Sequence, residues 1–171
     1  MEAGENLNVS SLKIVVTPNR RVEVTFSDKK LDSGGISTKN DIIEDLHIKE
    51  IDSVRTSEIY YFYSKIDEKK LAEISEKVLT DPLTQTYSLK GNAIKDFSCS
   101  VEIKLHEDVT DNVGIVAQEA VEDFLGKKLE GKIRVSRKYY FFGKITKQTA
   151  EKIAKELLAN SVIETFEVEV K

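Results

Sequence analysis

The chain contains a single cysteine, Cys99, which excludes an internal disulfide and any zinc site built on cysteines. Its two histidines, His47 and His106, stand apart, with no cysteine or paired carboxylate at ligand spacing, and both read as surface residues. No apolar run approaches the ~20 residues needed to span a bilayer. The N-terminal MEAGENLNVSS has neither the basic flank nor the apolar stretch of a secretion signal, so the chain reads as cytoplasmic. Positive charge is not in excess. A net charge of −4 and a pI near 5.4 leave no electrostatic footprint for nucleic acid or an anionic membrane. The G-x-G-x-x-G, Walker, H-E-x-x-H and G-x-S-x-G signatures are all absent, so nothing here runs a reaction by itself.

What is present is a repeat. The stretch Ser53–Leu89, SVRTSEIYYFYSKIDEKKLAEISEKVLTDPLTQTYSL, is echoed without a gap 79 positions later by KIRVSRKYYFFGKITKQTAEKIAKELLANSVIETFEV at Lys132–Val168. Arg55 falls on Arg134, Ser57 on Ser136, Tyr60-Tyr61-Phe62 on Tyr139-Tyr140-Phe141, and Lys65-Ile66 on Lys144-Ile145. The offset holds upstream too, with Val22-Glu23 on Val101-Glu102, Asp32 on Asp111 and Gly35-Ile36 on Gly114-Ile115. Self-similarity at one fixed offset means one module written twice. Modules of roughly 80 residues are marginal alone, so the two copies are expected to pack together.

Each copy reads β-α-β(long)-α-β. RVEVTF (Arg21–Phe26) alternates apolar and polar residues as a half-buried strand does, and Ser100–Leu105 follows suit. Asp32-Ser33-Gly34-Gly35 reads as a break before a helix over Ile36–Leu46, and the second copy places its helix over Val113–Phe124 with Gly126 as its stop. Val54–Ile66 and Ile133–Ile145 exceed the usual strand of ~5–6 residues, so such a strand either bends or serves two sheets. Asp67 and Thr146 cap helices over Glu68–Leu79 and Lys147–Leu158, and strands over Leu83–Leu89 and Val162–Val170 close the copies. LKIVVT (Leu12–Thr17) has no strand counterpart at the offset and reads as an added edge strand. The expected organisation is a tail and edge strand over 1–20, a first module over 21–90, a linker over 91–99 and a second module over 100–171. The fold class is α+β, of ferredoxin-like flavour, as an intramolecular pseudo-dimer.

At ELLANSVIETFEVEV (Glu156–Val170), IRVSRKYYF (Ile133–Phe141) and the turn from Asp111 to Gly114, the second copy resembles the PurS family, the small subunit of phosphoribosylformylglycinamidine synthase. The first copy resembles it more faintly. The departures are the missing Pro-Gln of the turn in both copies and serine (Ser57, Ser136) in place of a glycine in the long strand. The lysine that follows is Glu58 in copy one and Arg137 in copy two, and the helix-ending proline survives as Pro82 but is Ser161 in copy two. The resemblance implies a non-catalytic adaptor, without cofactor, that holds a glutaminase of PurQ type against an ATP-dependent synthetase of PurL type so that ammonia passes between them. It implies partner contacts at Arg55, Ser57, Lys65, Asp111, Gly114, Arg134, Ser136, Arg137 and Lys144, with more of that surface in copy two.

Each of these residues also has a plainer reading. Arg55 and Arg134 grip a partner carboxylate or a phosphate bidentately, or they pair internally with one of the many glutamates. Asp32 and Asp111 hold a metal or phosphate, or they accept backbone N–H bonds in a turn. The aromatic triplets stack bases, or they pack a core and an interface. A second functional class is a tandem ACT-type sensor binding amino acids between its units, for which Gly34-Gly35 offers a partial match.

Overall fold

The computed structural model describes residues 16–171. Most of the expected edge strand, Leu12–Val15, lies outside the described residues, and Val16-Thr17 are not in a strand. The elements run β1 (Arg20–Phe26), α1 (Ser33–Leu46), β2 (Ile51–Phe62), α2 (Glu68–Ile74) and β3 (Gln85–Ser88). They then repeat as β4 (Cys99–Leu105), α3 (Asn112–Leu125), β5 (Ile133–Gly143), α4 (Lys147–Ile153) and β6 (Glu164–Val170). Both α2 and α4 continue into one π-helical turn, Ser75–Leu79 and Ala154–Leu158. β1 and β4, α1 and α3, and α2 and α4 each start 79 residues apart, so the repeat seen in the letters is repeated in the elements.

All six strands form one antiparallel sheet in the order β3-β1-β2-β5-β4-β6. Of the two readings of the long strands, bending or serving two sheets, the second does not hold. β2 pairs along its length with β5 on one side, and only its second half, from Ser57, pairs with β1 on the other. At the middle of the central ladder Glu58 faces Arg137, and these two occupy the same repeat position. A pseudo-twofold axis therefore passes between them. In a homodimer that position would face itself, and like charges directly opposite on neighbouring strands repel. One chain escapes this by holding Glu in one copy and Arg in the other.

The helices cover one face of the sheet, and the two core clusters beneath them draw on both copies. Ile42 of α1 and Val54 of β2 pack with Val101 and Ile103 of β4, Phe141 of β5 and Ile153 of α4. Val22 of β1, Phe62 of β2 and Leu71 of α2 pack with Val121 of α3 and Ile133 of β5. Apolar burial at ~25 cal/mol per Å² thus stabilises the modules only jointly.

Helix α1 begins earlier than the apolar period suggests. Asp32 caps it, its carboxylate accepting from the Gly35 amide at 2.8 Å, so the glycines read as a break lie inside the first turn. Asp67, Asp111 and Thr146 cap the other three helices in the same way. Gly126 closes α3 at φ 66°, a conformation that suits glycine, while His47 adopts it at the end of α1 at φ 57°.

The end of α3 carries an acid-sensitive tie. Glu122 accepts from Lys128 Nζ at 2.7 Å, Gln118 Nε2 at 2.9 Å and the Leu129 amide at 3.1 Å. Those bonds, Lys128 first, hold its carboxyl down to about 2. A group depressed on folding stabilises the native state above its unfolded value, and that stabilisation fades as pH falls toward the folded one. Glu122→Gln is therefore expected to lower the melting temperature more at pH 7 than at pH 3. Melts at the two pH values check this, and an equal loss at both would remove the assignment.

Candidate functional site

The two helix starts are built alike. Asp32 Oδ2 accepts from the Thr56 amide at 2.6 Å and Oδ1 from the Thr56 hydroxyl at 2.6 Å, tying the first turn of α1 to β2. Asp111 Oδ2 accepts from the Val135 amide at 2.7 Å, tying α3 to β5. Arg55 Nε lies 3.4 Å from Asp32 and its Nη2 donates to the Phe26 carbonyl at 2.5 Å. Arg134 Nε stands 3.9 Å from Asp111, and its Nη atoms donate to the carbonyls of Leu105, His106, Glu107 and Val109 at 3.0–3.4 Å. Both guanidiniums thus clamp the loop between a strand and the following helix. At Gly35 and Gly114 a side chain would run into the carbonyls of Val54 and Ile133, so glycine there is what lets helix and strand meet.

The sheet face away from the helices is polar, yet its centre is buried. Glu23 accepts from Ser57 Oγ at 2.7 Å, from Arg21 Nη2 at 2.8 Å and from the Tyr140 hydroxyl. Its repeat counterpart Glu102 accepts from Ser136 Oγ at 2.6 Å and from the Tyr61 hydroxyl at 2.5 Å, with Lys104 at 3.6 Å. Each glutamate therefore binds the serine of its own module and the tyrosine of the other. Burial, and then the bond to the glutamate, push the hydroxyls of Tyr140 and Tyr61 up well beyond the usual tyrosine range. They remain neutral donors throughout the physiological range. Such a network, with every member satisfied, specifies one register of the central ladder.

Of the residues singled out in the sequence, Ser57, Ser136, Asp111 and Gly114 are buried in these supports. Arg55 and Arg134 are partly buried beside them, whereas Lys65, Lys144 and Arg137 are exposed. Arg137 donates to Glu164 at 2.7 Å and to the Leu158 carbonyl at 3.1 Å. Burial opposes ionisation of Glu164, but Arg137 and the Asn160 amide outweigh it and hold its carboxyl below the usual range. The sequence reading passed over the role of Glu23, Glu102, Tyr61 and Tyr140. Their signal was present: a polar residue identical in both copies at a strand position that alternation alone would assign to solvent. Cys99 is buried, and burial pushes its thiol up, away from the reactive thiolate. Among the described residues no group of three His, Cys, Asp or Glu side chains converges as a metal site would require.

The fold and these contacts define a class: a duplicated α+β module, fused into a pseudo-dimer whose interior is held by crossed Tyr–Glu bonds. Comparison with known proteins bears on the second module. Residues 98–171 match the family model of PurS, phosphoribosylformylglycinamidine (FGAM) synthase. No curated protein matches the chain. No helix of the described residues is long and apolar enough to cross a membrane.

Proposed function

We propose that the chain is the adaptor of the synthase, holding a glutaminase subunit of PurQ type against a synthetase subunit of PurL type so that ammonia passes between them. The observation that carries this reading is the fused pseudo-dimer around a PurS-family module. Two copies in one chain keep their association intramolecular, at an effective concentration on the order of mM for a short linker. They also free the two ends to diverge, which a symmetric dimer forbids. Arg137, Lys65 and Lys144 are exposed and supply the charged contacts, while Arg55, Arg134, Asp111, Gly114, Ser57 and Ser136 hold the surface in shape.

The test is turnover with glutamine and with ammonia, in mixtures of cognate glutaminase and synthetase with and without the chain. Glutamine-dependent turnover is expected to need the chain, and ammonia-dependent turnover to ignore it. Lys144→Glu reverses an exposed charge that makes no ion pair among the described residues. It should raise the chain concentration needed for half-maximal glutamine turnover about tenfold, equivalent to roughly 1.4 kcal/mol. If both activities ignore the chain, the adaptor reading is wrong.

A further inference from the structure

Helices α1 and α3 occupy equivalent places in the two copies, yet one flank of each differs. In α3 that flank carries Val113, Val116, Ala120 and Phe124, all exposed and spaced three or four residues apart, so they share one stripe of the helix. The same positions in α1 hold Gly34, Ser37, Asp41 and Asp45. The fold thus accepts polar residues along this line, and packing within the chain does not call for apolar ones. Ile36 and Ile115, also equivalent, are exposed in both copies, so among the exposed large apolar positions of the two helices only this line differs. Val113 and Val116 are 55% and 64% exposed, at the edge of a groove of about 450 Å³ that Val78, Leu79 and Ala117 also line.

A contiguous apolar line that the fold does not need marks a contact outside the chain. We propose that this contact is a second copy of the chain, with the two α3 helices packed antiparallel about a twofold axis. The line is complementary to itself when reversed. Turned end for end, Val113 meets Phe124 of the second copy and Val116 meets Ala120, a larger side chain on a smaller one. The charges reverse with it. Glu107 and Asp108 precede α3 and Lys127 follows it; all three are exposed, and none makes an ion pair among the described residues. At the same end as Lys127, Lys77 Nζ lies over the Phe124 ring, 6.0 Å from its centre. The pairs Val113 with Phe124, Val116 with Ala120 and Asp108 with Lys127 all centre on Gln118 to within a residue. Antiparallel packing therefore sets the acidic end of one helix against the basic end of the other, with the helix dipoles opposed.

Size and symmetry set what this contact can do. Contact along one 14-residue helix, about 21 Å long, lies at the small end of specific interfaces, so the dimer is expected to dissociate in the micromolar range. Association also stops at two chains. The first copy presents Ser37 and Asp41 where the second presents Val116 and Ala120, so each chain has one such stripe to offer. A homodimer of single modules would carry the stripe twice and could go on adding subunits. Fusing two copies and letting one flank turn polar closes the assembly.

The inference stands apart from the adaptor reading, and the full chain tests it without any other subunit. Sedimentation equilibrium from about 1 to 500 μM should show reversible association from 19.3 kDa to twice that mass, and nothing larger. Val116→Glu should raise the dissociation constant at least about tenfold while moving the melting temperature by no more than about 2 °C, because the site is exposed in the monomer. Ser37→Glu, at the equivalent place in α1, should leave the constant unchanged. Asp108→Lys alone should raise it about threefold or more, and adding Lys127→Glu should restore it. A chain that stays monomeric throughout, or one on which Val116→Glu and Ser37→Glu act alike, would overturn the proposal. A monomeric chain that loses glutamine-dependent turnover on Val116→Glu would assign the line to another subunit, and the proposal would fall. Failure of Lys127→Glu to restore association would rule out the antiparallel arrangement.

Discussion

Glu23→Ala is expected to destabilise the chain by about 3–5 kcal/mol, a fall in melting temperature of roughly 10–15 °C. Glu23 is fully buried, and alanine would leave the Arg21 guanidinium without its acid partner, the Ser57 hydroxyl without its acceptor and the Tyr140 hydroxyl with only the longer bond to Asn92 Oδ1 at 3.3 Å. Tyr140→Phe alone removes the bond to Glu23 and the longer one to Asn92 Oδ1, and should cost about 1–1.5 kcal/mol. The two residues belong to different modules, so their coupling in a double-mutant cycle measures cohesion between the halves. Urea unfolding of the parent, both single variants and the double variant should give a coupling on the order of 1–3 kcal/mol. A coupling near zero would mean that the crossed bonds do not hold the modules together. Glu102→Ala should cost less, because its cation, Lys104, stands further off at 3.6 Å and is itself shared with Glu167.

The second large effect sets two forces against each other. Alanine normally stabilises a helical position by up to ~1 kcal/mol over glycine. At Gly114 an added Cβ would lie 2.5 Å from the Ile133 carbonyl oxygen and 2.7 Å from Asp111 Oδ2, so the helix must move off its strand. Overpacking of this kind costs about 1–3 kcal/mol, and Gly114→Ala should come out destabilised by about 2 kcal/mol. Gly34 is the control. Its nearest neighbours would be side-chain atoms of Thr56 at 3.6 and 3.7 Å, ordinary van der Waals contact, so Gly34→Ala should be neutral or stabilising. If both alanines shift stability in the same direction, close approach is not why Gly114 is glycine.

These two tests also bear on the proposed function, because an adaptor would act through shape. The Asp–Gly helix starts fix where each helix lies on its strand, and the Glu–Ser–Tyr networks fix how the strands register. Variants that loosen either should weaken assembly without touching any reacting group. Loss of glutamine-dependent turnover that tracks loss of stability would fit such a role. Loss at full stability, as expected for Lys144→Glu, would locate contact.

Much of the architecture was legible because its causes are local. The period of Glu68–Leu79, the caps at Asp67 and Thr146, the stop at Gly126 and the β-branched long strands all act within a few residues, and all are found close to their expected places. The repeat at 79 residues was visible in the letters alone. Gly34-Gly35 misled because a glycine breaks a helix by propensity, whereas here the nearby β2 carbonyl demands one inside the first turn.

The amino-acid sequence by itself therefore determined two copies of one β-α-β-α-β module and the resemblance of the second to PurS. Only the tertiary structure decided that the long strands meet in one sheet, that α1 and α3 each pack into a core shared with the other module, and that Glu23 is buried rather than solvated. Strand register and burial of a polar face depend on what lies opposite. What lies opposite Glu23 is Tyr140, 117 residues away along the chain.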